Sequence, residues 1–296
     1  MRQLTLLLDG MTHTEGARWH DSRFWFSDLY SERIYSIRED GSDLCTELHV
    51  PECPSGIGWL PDGRLIAVSM HDRKLLRREH DGTVAVHADM FPHLEFEPND
   101  MVVDAQGRAW VGNLGFDVMK LAPRRPARLA RVDPDGSVAM VSEGLHFPNG
   151  PTIIDNCTLV VAESFGNRMS AFDIQPDGSL SARRDWASFG PLPQSDDVLK
   201  SIGEIRVAAD GISNVDAEGA IWVADFTKTR VLRVAPGGRI LDEIQTGDRN
   251  CYACALGGED GRTLFLCVTP ADFNPDLRRT NPLSAVLSTR VDVAVA

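Results

Sequence analysis

Four short segments combine carboxylate or amide side chains with a neighbouring proline or glycine. They are His13-Thr14-Glu15-Gly16, Glu97-Pro98-Asn99-Asp100, Phe147-Pro148-Asn149-Gly150 and Asp210-Gly211. Taken singly, such dipeptides are ordinary turn signals. Their Glu, Asn and Asp side chains nevertheless offer oxygen atoms, which are the ligands that a hard cation such as Ca²⁺ prefers. A fold that gathers these segments around one axis would suit a divalent cation, although a polar ring can also simply bind water.

The element that positions these segments is a repeat. Each copy runs from an Asp- or Gly-containing turn through a short strand of β-branched and aromatic residues to a second strand and another turn. Six apolar residues fall in register when the copies are aligned: Trp25, Ile66, Trp110, Val160, Trp222 and Phe265. The steps of 41, 44, 50, 62 and 43 residues between them match the period of four-stranded propeller blades. We therefore predict an all-β fold, a single six-bladed β-propeller domain over residues 1–296, with the aligned strands innermost and the four polar segments in loops ahead of them.

The ends of the repeat and one long step lead to further expectations. The sixth copy lacks a clear second half, so we expect the strand at Leu4–Leu8 to close the ring, because an open propeller exposes a sheet edge. The longest step contains an insertion at Ser179–Ile205. Its Gly190–Asp197 part is typical of a long, mobile loop, which is either a surface decoration or a lid over the substrate. From about residue 275 we expect an irregular tail.

Composition excludes some classes of partner. Lys plus Arg is 30 and Asp plus Glu is 43, for a net charge of −13, which disfavours nucleic acid and anionic membranes. No apolar run approaches the roughly 20 residues that span a bilayer. The N-terminus does not read as a secretory signal, so we expect a cytoplasmic protein. The oligomeric state leaves no signature in the sequence.

Other motifs favour structural roles over chemistry. Cys251-Tyr252-Ala253-Cys254 is a lone CxxC without the second pair that a structural zinc site requires, so we expect buried cysteines. The motifs of serine hydrolases and of the commonest nucleotide sites do not occur. His13 and His146 lie near the polar segments and are either proton shuttles or plain loop residues. The tryptophans at the repeat position are expected in the core.

Together, the repeat and the polar segments make the chain resemble the SMP-30/gluconolactonase/luciferin-regenerating family. The resemblance rests on T-E-G near the start, P-N-D-M-V-V-D-A-Q-G-R-A-W-V-G-N in the third blade, F-P-N-G-P in the fourth and D-G-I with D-A-E-G-A-I-W-V-A-D in the fifth. It also includes C-Y-A-C-A-L-G-G-E-D-G-R-T-L-F at Cys251–Phe265. The likeness extends from about Glu15 to Thr269.

The resemblance implies a metal-dependent lactonase, a hydrolase that opens a lactone or a similar cyclic ester. It implies that Glu15, Asn149 and Asp210 hold one divalent metal ion, and that Asp210 also transfers a proton. The ion would act as a Lewis acid on the lactone carbonyl. Ca²⁺ is our first choice because the ligands are all oxygen, while Zn²⁺, Mn²⁺ and Mg²⁺ remain open. The alternative is a non-catalytic propeller that binds a small metabolite or a protein partner.

The resemblance also implies substrate contacts, and this chain departs from the family there. Asn99 matches a position that contacts substrate or a metal-bound water, Asp117 matches an acidic position that is a candidate substrate contact, and Glu97 stands where sugar-lactone members often have arginine. An anion in place of a cation argues against gluconolactone itself and leaves lactone hydrolysis open. In addition, Asp210 and Asp216 are six residues apart where five is usual, so we expect a bulge to absorb the extra residue.

Overall fold

The computed structural model describes residues 2–271 and 274–296. Within these residues the regular secondary structure is almost entirely β-strand. The strands, in chain order, are β1 Thr5–Met11, β2 Thr14–His20, β3 Arg23–Asp28, β4 Arg33–Ile37, β5 Cys45–His49, β6 Pro54–Trp59, β7 Leu65–Ser69, β8 Lys74–Arg78, β9 Val84–Asp89, β10 Pro98–Val103, β11 Ala109–Asn113, β12 Ala130–Val132, β13 Val138–Met140, β14 Pro148–Ile154, β15 Thr158–Glu163, β16 Arg168–Asp173, β17 Arg184–Ser188, β18 Ala209–Ile212, β19 Ile221–Asp225, β20 Arg230–Val234, β21 Ile240–Gln245, β22 Arg249–Gly257, β23 Thr263–Pro270 and β24 Ser284–Arg290. Two short helices, α1 (Val198–Glu204) and α2 (Pro275–Thr280), occur among them. No helix of the described residues is long and apolar enough to cross a membrane.

The strands form six four-stranded sheets. Blades 1 to 5 are β2–β5, β6–β9, β10–β13, β14–β17 and β18–β21, and blade 6 combines β22, β23, β24 and β1. This is the architecture of a six-bladed β-propeller, and the predicted fold class is confirmed.

Burial distinguishes the two edges of each blade. In blade 6, eight of the nine residues of β22 are buried, whereas none of β1 is. The same contrast separates β10 from β13 in blade 3. The first strand of blades 1 to 5, and β22 in blade 6, is therefore the inner strand.

The aligned apolar residues lie on the second strand of each blade, so their assignment to the inner strand was wrong. Trp25, Trp110 and Trp222 lie on β3, β11 and β19 and are buried, as expected of core residues. A second strand is paired on both sides and carries the most continuous apolar run, which explains why it dominates the repeat.

The chain divides into two compact units, and the first comprises Met1–Pro54 and Asp210–Ala296. It contains blades 1, 5 and 6. Its core includes the stacked rings of Phe24 and Phe265, whose centroids are 4.6 Å apart. Strand β1 pairs with β24, with Thr5 opposite Ser288. The N-terminal strand thus completes the last blade, as predicted.

The segment from residue 275 is not an irregular tail, and that prediction was wrong. It contains α2 and then β24, which pairs with β23 from Thr263 opposite Arg290 to Val268 opposite Ala285. The helix separates β23 from β24 and interrupts the strand-turn-strand pattern on which the repeat was recognised. The missing half of the sixth copy is therefore β24 together with β1.

The second unit comprises Ser55–Ala209 and contains blades 2, 3 and 4. Its core clusters are built on apolar side chains such as Leu75, Trp110, Val132 and Phe172. These residues come mainly from the paired second and third strands of the three blades.

The insertion at Ser179–Ile205 is more ordered than predicted. It contributes β17, the outer strand of blade 4, and helix α1. The buried guanidinium of Arg124 donates to the carbonyls of Pro193 and Ser195 at 2.9 and 2.8 Å. The amide of the buried Asn167 donates to Pro191 O at 2.9 Å. These bonds tie the Gly190–Asp197 part to the body of the unit, and its mobility and its role as surface decoration or lid stay predictions.

Candidate functional site

The predicted site residues share one position of the inner strands. Each is the second residue of its strand, β2, β10, β14 or β18, and each side chain is buried: Glu15, Asn99, Asn149 and Asp210. These residues were predicted to lie in loops ahead of the inner strands. That placement was wrong, because they and the adjacent Pro or Gly belong to the inner strands themselves. The structure therefore gives the four residues equivalent places in four blades.

The sequence reasoning missed one further residue at this position and one at a bulge of an inner strand. Ser55 is the second residue of β6, and Tyr252 lies in β22 at a break in its pairing with β23, between Cys251 and Ala253. A signal for Ser55 was present, since Pro54-Ser55-Gly56 repeats the pattern of the P-N-G segment. Tyr252 gave no such signal, because an aromatic residue in a strand resembles core.

Bulges aim the site residues. The pairing of inner and second strands shifts register between Glu15 and Arg18, between Pro98 and Met101, and between Pro148 and Pro151. The last two shifts span Asn99 and Asn149 with their successors, and the first begins directly after Glu15, which still pairs with Ser27. A bulge leaves a residue out of the ladder and redirects its side chain. Proline begins two of these strands, where its missing N–H costs no ladder bond.

In the first unit, the negative charges of Glu15 and Asp210 both raise the pKa of the Tyr252 hydroxyl. Burial and then the negative charge of Asp210 raise the pKa of the Tyr252 hydroxyl well above its usual value, and the charge of Glu15 acts in the same direction. The two carboxylates predicted as metal ligands in this unit therefore lie near one phenol. That phenol stays protonated at neutral pH and can donate a hydrogen bond.

His13 lies against the same tyrosine. The two rings meet edge to face with centroids 4.6 Å apart. Burial, assisted by the positive charge of Arg278, lowers the pKa of His13 to about 4. Burial also lowers the pKa of His146. Both imidazoles are therefore neutral at pH 7, and their role as proton shuttles remains a prediction.

Buried carboxylates anchor the chain just ahead of two site residues. Asp28, at the end of β3, accepts hydrogen bonds from Thr12 N at 3.0 Å and His13 N at 2.7 Å. These bonds fix the approach to Glu15. The carboxylate is thus part of the fold's support for the site.

Glu163, at the end of β15, plays the corresponding part in blade 4. It accepts hydrogen bonds from His146 N at 2.8 Å and Arg168 Nε at 2.7 Å. The bond to His146 fixes the chain three residues ahead of Asn149. Arg168 compensates the buried negative charge.

Serine hydroxyls orient the two asparagine amides of the second unit. Asn149 Nδ2 donates to Ser164 Oγ at 3.1 Å, and Ser164 Oγ donates to Ala209 O at 2.8 Å. Asn149 Oδ1 is buried and has no hydrogen-bond partner among the residues described. In the other pair, Ser55 Oγ donates to Asn99 Oδ1 at 3.0 Å.

The predicted substrate contacts Glu97 and Asp117 lie near a lysine. Lys120 Nζ is 2.7 Å from Asp117 Oδ2. The pKa of Lys120 is raised, first by the hydrogen bond to Asp117 and last by the charge of Glu97. Lys120 therefore offsets part of the negative charge of these two carboxylates.

The extra residue before Asp216 is absorbed after β18 ends. Ser213 N donates to Trp222 O at 2.9 Å, and Trp222 N donates to Ser213 Oγ at 3.0 Å. The serine hydroxyl takes the place of a backbone carbonyl in the ladder. The irregularity thus lies between Asp210 and Asp216, as expected, and leaves Asp210 within β18.

Comparison with known proteins decides the family. The profile of the SMP-30/Gluconolactonase/LRE-like region matches residues 13–270. The chain belongs to this family. The resemblance recognised in the sequence motifs is confirmed over most of the chain.

Relatives within the SMP-30/gluconolactonase family include lactonases. The 6-deoxy-6-sulfogluconolactonase of Pseudomonas putida is 30% identical over 280 residues, which cover 91% of this chain and 87% of that protein. Pentonolactonase XacC of Haloferax volcanii is 25% identical over 268 residues, covering 87% and 82%. A solved structure of luciferin-regenerating enzyme superposes with a TM-score of 0.78 at 20% identity, covering 100% of this chain and 98% of that one. The last likeness supports the fold.

The donor chemistry of this family member fits a hard cation. Glu15 and Asp210 supply buried carboxylates, and Asn149 supplies a buried amide oxygen that lacks a hydrogen bond within the described part of the chain. Across residues 2–271 and 274–296, no group of three or more His, Cys, Asp or Glu side chains has the arrangement of a metal site.

The CxxC residues have no place in this chemistry. Cys251 and Cys254 are buried free thiols, as predicted. The Cys254 thiol donates to Trp222 O at 3.3 Å, and burial raises its pKa to about 12. Such a thiol is inert at neutral pH.

Proposed function

We propose that this protein is a lactonase that hydrolyses a sugar lactone and uses one divalent cation, held by Glu15, Asn149 and Asp210. The observation that carries the proposal is the set of buried oxygen donors at equivalent positions of the inner strands. Membership of the SMP-30/gluconolactonase family and the lactonases among its relatives support the reaction class. The all-oxygen ligand set favours Ca²⁺ over softer ions.

The chain's own residues supply positioning and proton transfer. When bound, the cation would polarise the lactone carbonyl as a Lewis acid. Asp210 takes a proton from the attacking water, whose oxygen adds to the carbonyl carbon. It returns a proton to the alkoxide when the ring C–O bond breaks, which yields the open hydroxy acid. Asn99 contacts the substrate, and Glu97 and Asp117 border it.

Proton release from a panel of sugar lactones tests this function directly. The protein is assayed as purified, after EDTA, and with Ca²⁺, Mg²⁺, Mn²⁺ or Zn²⁺ restored. We expect hydrolysis that EDTA abolishes and that Ca²⁺ restores best. Stoichiometric cation binding without turnover of any lactone would contradict the proposal and favour a binding protein.

Removing one carboxylate should separate metal binding from folding. We expect Glu15→Gln to lower cation affinity at least tenfold, because a buried anionic ligand is replaced by a neutral one, as in other ligand losses. The measurement is calorimetric titration of the EDTA-treated protein. Glu52→Gln, an exposed glutamate of the same unit, is the matched control and should bind as the parent does. Full cation content and activity in Glu15→Gln would remove Glu15 from the ligand set.

A further inference from the structure

Two serine–asparagine pairs in the second unit have opposite hydrogen-bond directions. In one, Ser164 accepts from the amide nitrogen of Asn149. In the other, Ser55 donates to the amide oxygen of Asn99. Both asparagines occupy the same position of their inner strands, β14 and β10. The serine therefore binds the amide nitrogen of Asn149 but the amide oxygen of Asn99.

The direction of the first pair follows from the serine's single proton. Ser164 Oγ donates that proton to Ala209 O at 2.8 Å. The hydroxyl can therefore only accept a hydrogen bond from any further neighbour. The neighbour at 3.1 Å must then be Asn149 Nδ2, and Oδ1 points the other way. Oδ1 is buried without a hydrogen bond from any described residue. A buried amide oxygen left open in this way is costly unless a ligand meets it.

The second pair leaves the other end of an amide open. Asn99 Oδ1 already accepts from Ser55 Oγ at 3.0 Å. The Asn99 amide group thus presents Nδ2, which can only donate. An amide nitrogen is unsuited to a cation and suited to a carbonyl, ring or hydroxyl oxygen of a substrate.

We infer that Ser164 and Ser55 are positioning residues that set the two amides in opposite senses, so that Asn149 offers an oxygen to the cation and Asn99 offers N–H donors to the lactone. This inference rests on the proposed function for the identity of the two ligands. It explains why one side-chain type at equivalent strand positions serves two different roles. Packing alone would not require opposite directions.

Cation affinity of Ser164→Ala tests the first half. Without the hydroxyl, the Asn149 amide can rotate, and we expect the Kd for Ca²⁺ to rise about tenfold, as when other outer partners of metal ligands are lost. Ser55→Ala is the matched control, and its Ca²⁺ Kd should equal that of the parent while its KM for the lactone rises at saturating Ca²⁺. Equal effects of both substitutions on Kd, or none from Ser164→Ala, would overturn the inference.

A double-mutant cycle distinguishes orientation from general damage. In the Asn149→Asp background an oxygen faces the cation in either rotamer, so adding Ser164→Ala should no longer raise the Kd. A loss that persists in that background would show a merely structural role for Ser164. If Ser164→Ala does not fold, as judged by thermal unfolding in EDTA, Ser164→Cys serves instead, with a smaller rise in Kd expected because its sulfur is a weaker acceptor.

The outcomes separate this inference from the proposed function. Parental Ca²⁺ binding without lactone turnover would refute the lactonase while the Kd comparison still decides the role of Ser164. Parental binding and turnover, with Ser164→Ala unaffected, would refute only the inference. No cation binding by the parent would refute the metal-dependent function and the Asn149 half of the inference together.

Discussion

Glu97 is the residue at which the sequence motifs predict a reversal of charge relative to sugar-lactone members of the family. It is partly exposed and close enough to Lys120 to act on the pKa of that amine. Lys120 is already paired with Asp117. One lysine facing two carboxylates leaves a net negative charge at this part of the proposed substrate site.

Reversing this charge should change substrate preference. We expect Glu97→Arg to raise kcat/KM for a sulfonated lactone relative to its neutral counterpart by about tenfold, because reversing one charge near the substrate anion is worth about 1–2 kcal/mol. The measurement is the ratio of the two kcat/KM values. Glu95→Arg, which changes a 73% exposed carboxylate two residues away, is the control. Equal shifts in both variants would point to long-range charge, and no shift in either would place Glu97 away from the substrate.

The burial of His13 makes stability depend on pH. Its pKa falls from 6.5 to about 4 in the folded protein, and Arg278, Tyr252 and Tyr30 face the ring or act on it. As pH falls below 6.5 the unfolded chain takes up the proton and the folded chain does not. The contribution of His13 to the free energy of unfolding is therefore fully present above pH 6.5, and it is lost as the pH falls from 6.5 to about 4.

We expect this loss to reach about 3 kcal/mol in the metal-free protein, from the size of the pKa difference. Urea unfolding of the EDTA-treated protein at pH 7 and pH 4.5 measures it. His13→Gln should reduce the difference between the two pH values. His80→Gln, at an exposed histidine, should leave it as in the parent. A parental pH dependence in His13→Gln would show that other groups carry it.

At the scale of single residues, the sequence predicted the polar positions where Pro or Gly adjoins them. Glu15, Asn99, Asn149 and Asp210 carry that mark. Tyr252 does not, because an aromatic side chain in a strand is normally core. The serines that orient the amides are also beyond sequence reasoning, since a hydroxyl's direction depends on contacts that only the fold creates.

At the scale of elements, glycine lets inner strands approach closely. A Cβ added to Gly211 in β18 would lie 2.6 Å from Ala253 Cα in β22. One added to Gly56 in β6 would lie 2.4 Å from Met101 N in β10. In both cases the obstacle is backbone, which cannot rotate aside. The glycine beside a site residue thus serves the contact between neighbouring inner strands.

This contact predicts the effect of a single methyl group. Gly211→Ala should destabilise the protein by about 1–3 kcal/mol through overpacking. Gly203→Ala is the control, because a Cβ there meets nothing within 4 Å and alanine favours helix α1 by about 0.5–1 kcal/mol. Urea unfolding of both variants measures the difference. Parental stability in Gly211→Ala would mean that the two strands separate without cost.

Element prediction failed where an element was inserted into the repeat. Five copies show a strand, a turn and a second strand at short spacing, and the structure confirms them as blades. In the sixth, α2 separates β23 from β24, so β24 was read as tail. In blade 4, β17 was read as part of a loop, since two of the five residues of this outer strand, Arg184 and Asp185, are charged and exposed.

At the scale of the whole molecule, the fold could be predicted from the sequence repeat, because each blade is built from the same succession of strands and turns. The strand that closes blade 6 was predictable from the shortage of strands in the last copy. Its partner was not, because the register of β1 on β24 joins segments from opposite ends of the chain. The closure is the long-range contact on which the last blade depends.

Deleting residues 2–11 should therefore damage more than one strand. We expect the truncated protein to aggregate and to unfold at a lower temperature, because β24 is left with an unpaired edge. Size-exclusion chromatography and thermal unfolding measure both effects. Leu6→Thr, which changes an exposed side chain of β1 and keeps the strand, is the control. A truncated protein that stays monomeric at the parental unfolding temperature would show that β1 is dispensable.

The pairing of β1 with β24 also sets an order of events during synthesis. Thr5 of β1 faces Ser288 of β24, so β1 leaves the ribosome long before its partner strand is translated. Blades 1 to 5 can each form as their own segments emerge, since all four of their strands are consecutive. The nascent chain must carry β1 unpaired while blades 1 to 5 are translated, and the length of this exposure to misassembly is set by elongation speed rather than by folding speed.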